Sequence, residues 1–322
     1  MGGYMLYFIV NEKSKSGNAK QIWKEIEEVL KVRNVSYQAF VSEYRGHAGK
    51  LAAEICAMDD NDICLVAVGG DGTANEVING ITDFEKVRFG VIPTGSGNDL
   101  ARGLSLSKDP KNGAIHILNA MKKSREDTWC MDLGEVNFGE KKRLFAISAG
   151  IGLDALVCKK ALKSTIKDIL NKIRLGKLTY LVLTVQSLFT MQTADAEIFF
   201  DREEGLQKKR MIFTAAMNFK AEGGGVPMAP AASACDGKLS FCEAAGIPKW
   251  RTFLCLPFLV AAKHTSIHGF SVTDAKDCTI RLSRPMVVHA DGEYCGEVTE
   301  VHFHCLPGKP VSYTHLRAHE TG

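Results

Sequence analysis

The chain has 322 residues, 45% of them apolar and 24% charged, and carries a formal charge of +3. That length supports two domains with sizeable cores. The small positive excess, with no basic tail or aromatic–basic motif, argues against a nucleic-acid partner. Ten scattered cysteines with no C-x-x-C pair fit reduced thiols in a cytosolic protein better than a disulfide framework.

The first apolar run, 4–10, is too short for a secretory signal and predicts a strand. Strands and helices then alternate: helix 18–32, strand 35–41, helix 47–58, strand 63–68, helix 73–81, strand 87–92, helix 98–104 and helix 111–122. This alternation predicts an α/β domain with a mostly parallel sheet over 1–128. From about 128 the pattern changes. "TWCMDLGEV" and "KRLFAISAG" flank a hairpin turn at Asn137–Gly139, helical segments fill 154–191, and strands recur at 195–201, 209–218, 238–244, 278–283, 286–290 and 299–305. A helical insertion is expected around 248–263. The second domain, 129–311, therefore reads as antiparallel β with helical insertions. The apolar stretches 178–191 and 253–262 fall short of the ~18–20 residues a membrane span requires. A soluble protein without a transmembrane segment is expected. Residues 312–322, "SYTHLRAHETG", continue no pattern and resemble a non-native tail.

"AVGGDGTANE" (67–76) follows the buried strand "ICLVAV" (63–68) and runs directly into a helix. Thr73 and Glu76 have capping-box spacing, so the helix is expected to start at Thr73. Glycines between a strand's carboxyl end and a helix amino terminus let backbone amides approach phosphate oxygens. A bare connecting turn is the plainer reading of a lone G-x-G. A second loop of the same kind, "FGVIPTGSGNDLARGL" (89–104), follows one βα unit later. Two such loops on neighbouring strands predict one shared polyphosphate site. Neither has Walker spacing, and Leu100 breaks the G-x-G-x-x-G fingerprint.

"GGDGTANEVINGI" followed by "GVIPTGSGNDLAR" resembles the diacylglycerol kinase catalytic domain, in particular the soluble bacterial lipid kinases. The resemblance extends to "MDLG" (131–134), "APAASACDGKL" (229–239) and "HADGEYCG" (289–296). It implies an ATP-binding α/β domain like those of NAD kinases and phosphofructokinases. It also implies a carboxyl-terminal β-sandwich, with ATP and a lipid hydroxyl meeting in the cleft between the two. Carried over by position, Asn11, Glu12, Lys13, Ser14, Lys15, Ser42, Gly69, Gly70, Asp71, Gly72, Thr73, Ala74, Asn75 and Ser96 would contact ATP. Asp71 and Asp99 would organise Mg²⁺ beside the phosphates, supported by Asp132. Glu293 would be the general base on the acceptor hydroxyl, and Asp291-Gly292 reads as a tight turn before it. A structural Mg²⁺ would be held by Asp236 with Ser233 and Lys238. Two departures stand out: "NEKSKSG" replaces the usual first loop, and Cys235 replaces the first aspartate of an Asp-Asp-Gly.

The resemblance implies a lipid kinase acting at the membrane surface from the cytoplasm. A non-catalytic lipid- or nucleotide-binding regulator of the same fold is the alternative. An NAD kinase is a third reading, against which "PTGSGNDLAR" counts. Which lipid is phosphorylated is not legible, and neither is oligomeric state, for which a homodimer is one option. His264 and His268 stand four apart and His302 with His304 two apart, without a third ligand at zinc-like spacing. The helix over 177–189 reads as a packing helix or a bilayer contact, and Lys208-Lys209-Arg210 as a solvated hairpin edge.

Overall fold

The computed structural model describes residues 5–14, 19–60, 62–95, 97–122, 130–163, 176–201 and 204–310. The chain divides into two compact units, Met1–Met131 with Gly308–Gly322, and Asp132–Pro307.

The first unit is built on a parallel four-stranded sheet in the order β2-β1-β3-β4. Its strands are β1 (Met5–Val10), β2 (Gln38–Val41), β3 (Ile63–Gly69) and β4 (Val87–Pro93). Every residue of β3 is buried, as a continuous apolar run in a sheet covered on both faces should be. The edge strand β2 is largely exposed. Cover comes from α1 (Ala19–Val32) packed with α5 (Pro110–Met121), and α2 (His47–Cys56) packed with α3 (Asp71–Gly80). The pair α2–α3 approaches closely because Gly80 faces the Gly49 carbonyl, where a Cβ would come within 2.1 Å of the oxygen. A short helix, α4 (Asp99–Gly103), follows β4. Buried Arg88 is neutralised by Asp62 at 2.8 Å.

The second unit is an antiparallel β-sandwich. Its strands are β5 (Cys130–Phe138), β6 (Lys141–Phe145), β7 (Ser148–Gly152), β8 (Ala194–Phe200), β9 (Leu206–Met211), β10 (Phe213–Met217), β11 (Leu239–Ala244), β12 (Phe270–Ala275), β13 (Asp277–Ala290) and β14 (Glu293–Pro310). The main path runs β12-β11-β10-β7-β13-β14-β5-β6, with β8 and β9 branching from β13. The long strand β13 makes this branching possible. Its first half pairs with β8 and its second half with β7, on either side of a register shift between Arg281 and Met286. Helices α6 (Leu153–Lys163), α7 (Gly176–Thr190) and α8 (Lys249–Val260) complete the unit.

Several expectations are corrected. Helix α3 begins at Asp71 with Gly70, which has no side chain to cap it, as its N-cap. Glu76 instead accepts from the Gly46 amide at 2.8 Å, so the capping box does not form. The segment 209–218 is two strands broken at Ile212, and 286–290 and 299–305 belong to two long strands. Strand β12 has no counterpart in the sequence reading: its alternation is weak, with Ser271, Thr273 and Asp274 making half of its six residues polar. The stretch expected as helix over 154–191 contains α6 and α7, and residues 164–175 lie outside the described residues.

Candidate functional site

Parallel strands deliver their carboxyl ends to one edge of the sheet, and the first unit's candidate residues collect there. The Asn11 amide donates to the Val68 carbonyl, Ser42 to Val10 and Thr94 to Gly69, at 2.8–2.9 Å. Asn11 Nδ2 donates to Thr73 Oγ1 at 3.0 Å, and its Oδ1 accepts from the Lys13 amide at 3.1 Å. Lys13 Nζ is held by the Glu43 carbonyl at 2.7 Å. The hydroxyls of Ser14 and Thr94 are hydrogen-bonded. Glu12 lies half-buried between these residues, Ser42 is buried, and Ala74 and Asn75 are buried in the first turns of α3. Lys15 and Ser96 lie outside the described residues.

The two glycine loops touch. A Cβ on Gly95 would stand 2.8 Å from Gly70 Cα, and one on Gly69 would overlap Thr73. Glycine is thus required at both loops for backbone-to-backbone approach as well as for access to the α3 amides. Gly72 sits in the first turn of α3. Asp71 ties the loops together: its carboxylate accepts from the amides of Asp99 at 3.0 Å and Leu100 at 3.2 Å. Asn98 adopts the left-handed conformation at φ 50° and donates to the Gly95 carbonyl at 2.8 Å. Asp99 is largely buried and ion-paired with Arg102, which also donates to Gly97 O at 3.1 Å.

In the second unit, Asp291-Gly292 forms the two-residue turn joining β13 to β14, with φ of 48° and 80°. Both values lie in the left-handed region, where Asp and Gly are tolerated. The Asp291 carboxylate accepts three backbone amides, from Ala146 and Ile147 at 2.8 Å and Ser148 at 3.1 Å. Its own amide donates to Ser148 O at 2.8 Å. Glu293, half-buried, is the first residue of β14 and pairs with Ala290.

Beneath the turn lies buried His289, which the sequence reading did not single out. Its Nδ1 accepts from the Gly292 amide at 3.2 Å, so its proton resides on Nε2, which meets Asp154 Oδ2 at 3.0 Å. Burial opposes its charge, but the hydrogen bond to Asp154 and the charges of Asp154, Glu222 and Asp291 hold its pKa above the ordinary imidazole value. Glu222 in turn accepts from the Ser148 hydroxyl. Asp154, Glu222 and His289 lie close enough to share an ion. However, a metal on Nε2 would require the proton to move to Nδ1, where Gly292 N–H already points. A histidine two residues before Asp291 was the available signal; Asp154, 135 positions away, gave none.

Asp132 is buried at the base of the 234–238 loop. Its Oδ2 accepts from Gly237 N at 2.7 Å, and its amide donates to Ala234 O at 2.7 Å. Asp236 Oδ1 accepts from the Lys238 amide at 3.1 Å, and Ser233, Cys235, Asp236 and Lys238 are exposed. The Asp236 carboxylate and the Ser233 and Lys238 carbonyls are all oxygen donors, the chemistry Mg²⁺ requires, and Cys235 adds none. His264 is a buried core residue in a single 3₁₀ turn, bonded to the Met228 carbonyl at 2.9 Å. His302 and His304 both lean on Asp277.

Two family descriptions match the chain: the diacylglycerol kinase catalytic domain over residues 5–131 and the YegS C-terminal NAD kinase beta sandwich-like domain over 148–310. A Bacillus subtilis protein given the provisional name lipid kinase YtlR is 30% identical over 295 residues, covering 90% of this chain and 93% of that one. The diacylglycerol kinase of Bacillus subtilis is 28% identical over 272 residues, covering 82% and 80%. A crystal structure provisionally described as a diacylglycerol kinase from Bacillus anthracis superposes with a TM-score of 0.75 at 22% identity, covering 97% and 98%. That likeness shows the fold alone.

Proposed function

The chain belongs to the diacylglycerol kinase family, and on that premise we propose that it is an ATP-dependent lipid kinase, moving the γ-phosphate of ATP to the hydroxyl of diacylglycerol or a related lipid alcohol. The observation that carries this reading is the pair of glycine loops in mutual contact at the sheet's carboxyl edge, joined by Asp71. Helix α3 starts behind Gly70, an N-cap that offers no side chain of its own, and an anionic phosphate suits the first-turn amides and the helix dipole together. Asn11 to Ser14, Ser42 and Thr73 frame the nucleotide around that point.

Asp71 and Asp99 supply the carboxylate oxygens that would hold Mg²⁺, which neutralises charge on the transferring phosphoryl group. Oxygen donors of this kind suit the ion. In the second unit, Asp236 with the Ser233 and Lys238 carbonyls would hold a structural Mg²⁺, and Asp132 fixes the loop that carries them. Glu293 is the general base: a lipid alcohol is a weak nucleophile, and a carboxylate can take its proton as the bond to phosphorus forms. Asp291 anchors the turn that presents it. Among the described residues no helix is long and apolar enough to cross a membrane, and we place the enzyme in the cytoplasm, visiting the bilayer to collect substrate.

The test is direct. The protein is incubated with radiolabelled ATP and micelles of diacylglycerol, monoacylglycerol, phosphatidylglycerol or a sphingoid alcohol, and the organic phase is analysed. A labelled phospholipid is expected with at least one acceptor. Label confined to the aqueous phase with every acceptor overturns the proposal.

A further inference from the structure

Helix α8 is apolar on two faces. Thr252, Cys255 and Leu259 are buried against the sandwich, while the outward stripe carries Trp250, Phe253, Leu254 and Phe258 at 40–60% exposure. A surface helix of a globular domain ordinarily turns charged residues to that side. Helix α7 packs beside it, with the Phe189 and Phe253 rings 6.0 Å apart and Lys249 Nζ donating to the Phe189 carbonyl at 3.3 Å. Eight of the fourteen large hydrophobic side chains exposed among the described residues lie on these two helices. Concentration, rather than exposure as such, is what marks an interaction surface.

Charge identifies the partner. No Asp or Glu occurs between Glu243 and Asp274, or between Asp168 and Asp195, so neither helix carries an acid. Exposed Arg251 and Lys263 and half-buried Lys249 lie in or beside α8. The basic edge Lys208-Lys209-Arg210 is pinned to the same place: Gly246, just ahead of α8, donates to the Lys209 carbonyl at 2.7 Å and accepts from Arg210 at 3.0 Å. Lys208 and Lys209 are paired with Glu243 and Asp195, so Arg210 and Arg251 supply the excess charge. An apolar, aromatic-bearing face edged with cations and lacking acids suits an anionic bilayer, where rings enter the acyl boundary and cations meet headgroups.

We propose that the outward face of α7 and α8, with Arg210 and Arg251 at its border, is the surface by which this protein docks on anionic membranes. The proposal deepens the lipid-kinase reading and rests on it for its purpose, but not for its test. Binding is measured by sedimentation with sucrose-loaded vesicles of phosphatidylglycerol and phosphatidylcholine in equal parts, without ATP or diacylglycerol. The protein should sediment with these vesicles and far less with phosphatidylcholine alone. The double variant W250Q/F258Q should bind at least about tenfold more weakly, and R251Q about fivefold more weakly. Both side chains of the double variant are exposed, and an unchanged urea-denaturation midpoint reports an intact fold. No sedimentation at millimolar lipid, or undiminished sedimentation of the double variant, overturns the proposal. So does a dimer in solution that the double variant dissociates, because the face is then a contact between copies. Vesicle binding without lipid phosphorylation would leave this surface standing while the kinase reading fell.

Discussion

Asp291→Asn isolates what the turn before Glu293 depends on. Asparagine accepts the left-handed conformation that Asp291 adopts at φ 48°, so the substitution adds little backbone strain. The hydrogen bonding changes instead. Asp291 Oδ1 accepts from Ile147 and Ser148, and Oδ2 from Ala146. With the Asn oxygen in the Oδ1 position, two bonds fall from charge-assisted to neutral strength, a loss of about 0.5–1.5 kcal/mol each. The amide nitrogen then meets the Ala146 N–H donor to donor, leaving a buried group unsatisfied for about 1–3 kcal/mol more. The total, roughly 2–6 kcal/mol, is a large share of the 5–15 kcal/mol that stabilises a typical domain. Urea denaturation should show a lowered midpoint, and lipid turnover should fall while ATP affinity, set in the other unit, stays unchanged. A variant with the wild-type midpoint and wild-type turnover would refute the reasoning.

Gly95→Ala puts a methyl group 2.8 Å from Gly70 Cα, forcing the loops apart; ATP affinity measured by calorimetry should drop, and turnover should fall by about 10²-fold, as for a misplacement near 1 Å. Wild-type affinity would contradict the paired-loop site. Chelation of divalent metal should abolish turnover and Mg²⁺ should restore it; turnover persisting in chelator would exclude the carboxylate assignment.

Much of this architecture was legible because its signals are local. The run 63–68 appears as a fully buried strand, and the two glycine loops read as one site touch through Gly70 and Gly95. The Asp-Gly turn was equally plain, since few dipeptides tolerate two successive positive φ values. What escaped was set by tertiary contact. Thr73 and Glu76 had capping-box spacing, but Gly70 takes the cap and Glu76 is drawn to Gly46. Asp71 read as a ligand of metal, whereas its carboxylate is also the clasp between loops. Partners separated by more than a hundred positions, such as Asp154 with His289 and Asp291 with Ala146, leave no periodicity for a single sequence to show. The outward apolar stripe of α8 was hidden for another reason: composition reveals an apolar helix, but only packing decides which of its faces is covered.

We propose Glu293 as the base for transfer of phosphate from ATP to a lipid hydroxyl. The measurement that bears on it most directly is the initial rate of diacylglycerol phosphorylation by the wild type and Glu293→Gln side by side. The wild type should form phosphatidic acid in an ATP-dependent reaction, and the variant should retain ATP affinity while kcat falls by about 10²–10⁴. Equal rates in the two proteins would contradict the assignment of the base, and no lipid phosphorylation by the wild type with any acceptor would contradict the account as a whole.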